Sequence, residues 1–95
     1  MSLESQLHFS ALWAHDMDMT ETAHLKVAKE AVEFSENPTL EEAADILICL
    51  YGAAFYRGWT LDDLECAIAR KMNINRRRKW ERQEDGTWQH IKQAV

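Results

Sequence analysis

Glu42-Ala43-Ala44-Asp45-Ile46-Leu47-Ile48-Cys49-Leu50-Tyr51-Gly52-Ala53-Ala54-Phe55 is the stretch around which the rest of this 95-residue chain is organised. Between Ala43 and Phe55 its one charged residue is Asp45. A helix through it is apolar on nearly every side, the pattern of a helix buried all round. An ionised carboxylate in such a place is costly unless it meets a cation, holds a metal or changes its pKa. The stretch therefore predicts both a core helix and a site at Asp45.

Working outward, Asn37-Pro38 stops any preceding helix, and Thr39-Leu40-Glu41-Glu42 has the Thr-x-x-Glu form of a capping box that opens the core helix. Arg57-Gly58 closes it, glycine supplying the left-handed residue. Upstream, Thr20 is the expected N-cap of a helix with Leu25, Ala28 and Val32 on its inner side, ending near Ser35. Before it, Ser2 or Ser5 caps a first helix running to about His15. Downstream, Thr60 caps a fourth helix with the apolar set Leu61, Leu64, Ala67, Ile68 and Met72, continuing to about Trp80. Asp85-Gly86 then reverses the chain, and Thr87 to Ile91 folds back as a short strand or ordered arm.

The class is all-α, four helices in a single domain over 1–95, with a helical region of about 3–80 and a C-terminal arm of about 81–95. With 46% hydrophobic and 28% charged residues there is no room for a second core. A chain this short buries a modest fraction of its surface, so an all-round apolar helix implies a second subunit, in a homodimer or homotetramer, over the face its own chain leaves bare. No apolar run is long enough to span a bilayer, and the N-terminus lacks the build of a signal peptide, so the expected place is the cytoplasm. Cys49 and Cys66 lack metal-ligand spacing and are read as small core residues.

The chemistry falls on the helical hairpin. Glu30 and Glu33 share a face of the second helix by their three-residue spacing, as Glu42 and Asp45 do on the third. Each acid has a counterpart equally far from the turn between Asn37 and Pro38, so the antiparallel hairpin brings four carboxylates together. Four clustered carboxylates repel, and an all-oxygen set suits a hard cation such as Mg²⁺, with Mn²⁺ as a substitute. The chain has one Glu-x-x-His pair, Glu21 and His24, apart from the four acids, whereas a di-iron bundle needs one on each of two helices. A Mg²⁺ site points to phosphate chemistry.

These residues resemble the MazG-like, all-α nucleoside triphosphate pyrophosphohydrolases, whose motif is EExxE, a spacer, then ExxD. Here it reads Lys29-Glu30-Ala31-Val32-Glu33 and Glu42-Ala43-Ala44-Asp45, with Lys29 where the family usually has its first Glu and a short spacer over 34–41. The resemblance, over roughly residues 20 to 80, implies a MazG-like four-helix fold. It also implies that Glu30, Glu33, Glu42 and Asp45 ligate Mg²⁺ and are catalytic, and that a (deoxy)nucleoside triphosphate is hydrolysed to the monophosphate and pyrophosphate. Nucleotide-pool house-cleaning is the implied role. Lys29 is read as a contact to a substrate phosphate or a partner for a site carboxylate.

Seven of the eleven Lys and Arg fall between 70 and 82. Within that run, Lys71, Asn75, Arg78 and Trp80 resemble the K-x-x-x-N-x-x-R-x-W segment of short MazG-like proteins. A Lys, an amide and an Arg on one face of the fourth helix suit the non-bridging oxygens of a triphosphate. For the nucleobase, Phe9 and Trp13, four apart on the first helix, are the candidate slot.

Each reading has a plain competitor. The capping box alone accounts for Glu42, and an ion pair with Lys29 or Arg57 for Asp45. The helix macrodipole accounts for the basic run, and ordinary core packing for Phe9 and Trp13. Two other functions compete as well. One is a phosphoribosyl-ATP pyrophosphatase-like enzyme, with similar fold and metal logic. The other is a non-catalytic helical dimer that binds nucleic acid through residues 70–82, which leaves Asp45 unexplained.

Overall fold

Helix α1 (Leu3–Asp16), α2 (Ala23–Glu36), α3 (Leu40–Tyr56) and α4 (Leu61–Arg77) are followed by strands β1 (Trp80–Arg82) and β2 (Trp88–His90) in the computed structural model, which describes residues 1–92. The last residues of the expected C-terminal arm, 93–95, lie outside the described residues. The chain divides into two compact units, Met1–Leu61 and Asp62 onward.

In the first unit α3 packs against both α1 and α2. Ser2 caps α1, its Oγ accepting the Ser5 N–H at 3.1 Å. Thr39 caps α3 in the same way, accepting the Glu42 N–H at 3.2 Å. At the other end of α3, the Gly58 N–H bonds to Phe55 O and the Trp59 N–H to Ala54 O, the two bonds of a Schellman motif with Gly58 at φ 76°. The turn, cap and stop signals around α3 all act where the sequence places them.

The core is built from small residues: Ala11, Ala23, Ala53 and Ala54 are buried, together with Tyr51 and Gly52. A Cβ on Gly52 would stand 3.7 Å from Ala23 Cβ and 3.9 Å from Thr20 Cγ2, so α3 lies close against the start of α2. This contact corrects the expected cap of α2. Thr20 is 2% exposed and shares a 3.4 Å hydrogen bond with His15 Nδ1, while Thr22 immediately precedes the helix without a side-chain cap bond.

The inner face of α2 also differs from the expected one. Leu25, Ala28 and Val32 are exposed, and the covered stripe is Ala23, Val27, Glu30 and Phe34. Its spacing of four, three and four is helical, but hydrophobicity alone passes over it because one member is an acid. Nor is α3 buried all round. Leu47, Ile48, Leu50 and Asp45 are exposed in the single chain, since α1 and α2 together cover only part of its circumference.

In the second unit, α4 carries Asp62 and Asp63 in its first turn and Arg76 and Arg77 in its last, as the macrodipole favours. It stops at Arg77, short of the expected Trp80. Trp80 instead opens β1, where it pairs with His90 across the hairpin, the rings edge to face at 5.9 Å. Its Nε1–H donates at 2.9 Å to Asn75 O, a carbonyl that also accepts the Arg78 N–H at 3.2 Å. The expected reversal at Asp85-Gly86 forms, with Gly86 at φ 88°. Cys66, expected in a core, is exposed, and no residue of α4 is buried.

Candidate metal centre on the α2–α3 hairpin

Glu30 and Glu33 come from successive turns of α2, and Glu42 from the first turn of α3. The short Asn37–Thr39 connection folds the two helices against each other, and one carboxylate oxygen from each of the three lies within 4.8 Å of the others. Glu30 is buried, Glu42 half-buried and Glu33 exposed, so the cluster runs from the core outward to solvent. This is the antiparallel juxtaposition that the symmetric spacing predicts, realised for three of the four acids.

Their partners show what is missing. Glu30 Oε1 lies 3.5 Å from Lys26 Nζ, one turn earlier on α2. Glu30 Oε2 and Glu42 Oε2 are buried and have no hydrogen-bond partner. Thr39 caps α3 through its Oγ1, a bond to the Glu42 backbone that does not occupy the Glu42 oxygen Oε2. Like charges 4.8 Å apart repel by about 3 kcal/mol at an effective dielectric of about 20, less where Glu33 meets water. A half-solvated lysine repays no more than about 1 kcal/mol of that. The donor set is oxygen only, and two of its oxygens are buried without partners. It therefore fits a hard divalent cation.

Asp45 stands one turn beyond Glu42 on α3 and is exposed, outside the group of three. Cys49, one turn further, reports on the same neighbourhood. Burial pushes its thiol pKa up, the charges of Glu30 and Asp45 add to the rise, and Lys26 partly offsets it. Cys49 thus lies on the part of α3 that senses Glu30. Sequence reasoning placed Cys49 in the core and did not single out Lys26. The signal for Lys26 was its four-residue spacing from Glu30.

The remaining candidates fall into separate places. Lys29 is exposed. Arg57, the alternative partner for Asp45, donates Nη1–H to Ala53 O at 2.8 Å and lies over the Trp59 ring at 5.8 Å. Phe9 lines an open groove of about 500 Å³ between α1 and α3, with Leu7, Ala44, Leu47 and Ile48. Trp13 is exposed and does not line it. Within the second unit, Asn75 and Arg78 line one groove of about 410 Å³ with Met72, Arg76 and Trp80. Arg78 follows the last turn of α4 rather than lying within it, and Lys71 is exposed on the helix.

The family described as dATP/dGTP pyrophosphohydrolase matches residues 10–95. A dATP/dGTP diphosphohydrolase of Salmonella phage PMBT28 is 44% identical over 71 residues, 73% of this chain and 23% of the relative, so the chain spans less than a quarter of that protein's length. Among solved structures, the cyanophage S-2L MazG-like pyrophosphohydrolase, bound to dGDP and three catalytic Mn²⁺ ions per active site, is similar at 28% identity with a TM-score of 0.75. That match covers 97% of this chain and 100% of the other.

Proposed function

Because the chain belongs to the dATP/dGTP pyrophosphohydrolase family, with a MazG-like all-α fold, we propose that it hydrolyses a deoxynucleoside triphosphate to the monophosphate and pyrophosphate. Purine deoxynucleotides are the substrates of first choice, Mg²⁺ is the working cation with Mn²⁺ as a substitute, and control of the nucleotide pool is the role. The observation that carries this reading is the trio Glu30, Glu33 and Glu42, with two buried oxygens that lack partners. The names of the similar phage proteins support the choice of purine substrate.

In this reading Glu30, Glu33 and Glu42 would hold the ion, with Asp45, one turn beyond Glu42, as the proposed fourth ligand. Bound there, a divalent ion would neutralise phosphate charge and make a water more acidic. Glu33, the exposed member, accepts the proton of the water that attacks the α-phosphorus. The bond from that phosphorus to the bridging oxygen breaks, and pyrophosphate leaves. Lys71, Asn75 and Arg78, and Lys29 on α2, are the proposed contacts to phosphate oxygens, and Phe9 and Trp13 the proposed contacts to the base.

Among the described residues no helix is long and apolar enough to cross a membrane. We assign a cytoplasmic enzyme that acts as a homodimer or homotetramer, the exposed apolar side of α3 being the surface for a second copy. The deciding experiment is pyrophosphate release from a full panel of nucleoside triphosphates with Mg²⁺ or Mn²⁺. Release from dATP or dGTP, lost in Asp45→Ala while the helical circular dichroism is kept, is the expected result. A panel with no release under either metal overturns the proposal.

A further inference from the structure

Lys26 sits one helical turn before Glu30, its ammonium 3.5 Å from Oε1, with the lysine side chain 57% exposed and the glutamate side chain only 8%. As a helix-stabilising pair this is poor. Lysine ahead of glutamate is the less favourable order along a helix, and 3.5 Å is longer than a charge-assisted hydrogen bond. As a structural bridge it is incomplete, because the other Glu30 oxygen is buried with no partner and belongs to a cluster of three carboxylates. The lysine therefore meets, from the solvent side, a carboxylate that the rest of the fold leaves half-satisfied.

We propose that Lys26 is a tethered placeholder cation for the acidic centre, easing repulsion among Glu30, Glu33 and Glu42 in the metal-free protein and yielding when a divalent ion binds. The inference rests on the metal-binding reading of that centre. An ammonium on a four-carbon stem is a single, mobile, strongly hydrated charge, whereas a divalent ion brings twice the charge at direct ligand distance. Lys26 thus stabilises the empty hairpin and sets a threshold that the metal must exceed. It is a positioning residue, and its effects on metal affinity and on metal-free stability have opposite signs.

The test uses Mn²⁺ alone, titrated calorimetrically into the metal-free full chain, alongside thermal unfolding in chelator and in saturating Mn²⁺. Lys26→Met and Lys26→Gln are expected to bind Mn²⁺ about fivefold more tightly, the scale of a half-solvated ion pair, and to unfold roughly 2–5 °C earlier in chelator. Lys26→Arg, which keeps the charge, is expected to restore both values. Unchanged or weaker Mn²⁺ binding in the uncharged variants overturns the inference, as does an equal loss of midpoint with and without metal, which a structural bridge gives. Absence of Mn²⁺ binding by the unmodified chain overturns the metal reading itself and this inference with it.

Discussion

The two units of the chain divide the charge between them and commit it to structure in different degrees. Met1–Leu61 carries ten acids against three bases, and the unit from Asp62 onward eight bases against six acids. In the first unit a carboxylate is driven into the core of the hairpin, with one oxygen on Lys26 and the other unpartnered. In the second the basic side chains are exposed, apart from a half-buried Arg78. Buried charge constrains the chemistry sharply, because water cannot substitute for a missing partner. Exposed charge binds by summation and tolerates loss. Substitutions in the first unit should therefore act nearly all-or-none on turnover, and those in the second should act by degrees on affinity.

The largest effect expected is for Glu30→Gln. It keeps the shape and removes the buried charge, so pyrophosphate release should fall by about a hundredfold, the scale of weakening the proposed metal centre. The same variant should unfold at a higher temperature in chelator, since the repulsion among the three carboxylates is relieved. Steady-state kinetics and thermal denaturation check the two halves. A variant with intact turnover would break the contrast between the units at its strongest point.

An intermediate effect is expected in the second unit. Lys71→Ala and Arg78→Ala should each raise KM for the triphosphate by about tenfold with a smaller change in kcat, as befits lost phosphate contacts made equally in ground and transition states. Binding should also become less sensitive to salt. A collapse of kcat at unchanged KM would instead place these residues with the acids and abolish the division of labour.

How much of this was legible in the sequence follows the range of the forces involved. Asn37-Pro38, the Thr39 cap and Gly58 act within a few residues of themselves, so α3 and the hairpin follow directly from their order. The convergence of Glu30, Glu33 and Glu42 was equally legible, because a tight antiparallel turn turns spacing into proximity. What escaped depended on distant neighbours. Thr20 caps nothing because α3, at Gly52, covers it. Asp45 is exposed because the single chain leaves that side of α3 bare. Leu25 and Val32 face outward because the buried stripe of α2 includes an acid, which no hydrophobic count selects. Trp80, beyond the helix end, pairs with His90, ten residues on, a partner that local spacing does not announce.

The smallest effect sharpens the comparison from the far end of the second unit. Asp85 is fully exposed, yet its carboxylate accepts from Thr87 Oγ1 at 2.6 Å and from the Thr87 N–H at 3.0 Å, and these bonds hold its pKa below the ordinary 3.8. A carboxylate with a depressed folded pKa contributes stability above its unfolded value and loses that contribution as pH falls through the folded one. The hairpin should therefore be fully braced at neutral pH and loosen only in acid below the ordinary carboxylate range. Asp85→Ala should reproduce the loosened state at neutral pH, seen as faster amide exchange at Gln83, whose N–H bonds to Thr87 O at 2.7 Å. Turnover should stay within about twofold of the unmodified chain, since surface substitutions of this kind rarely move global stability far. If Asp85→Ala instead lowered kcat as Glu30→Gln does, the exposed hairpin would be part of the catalytic geometry, and the contrast between a committed acidic unit and a tolerant basic one would not hold.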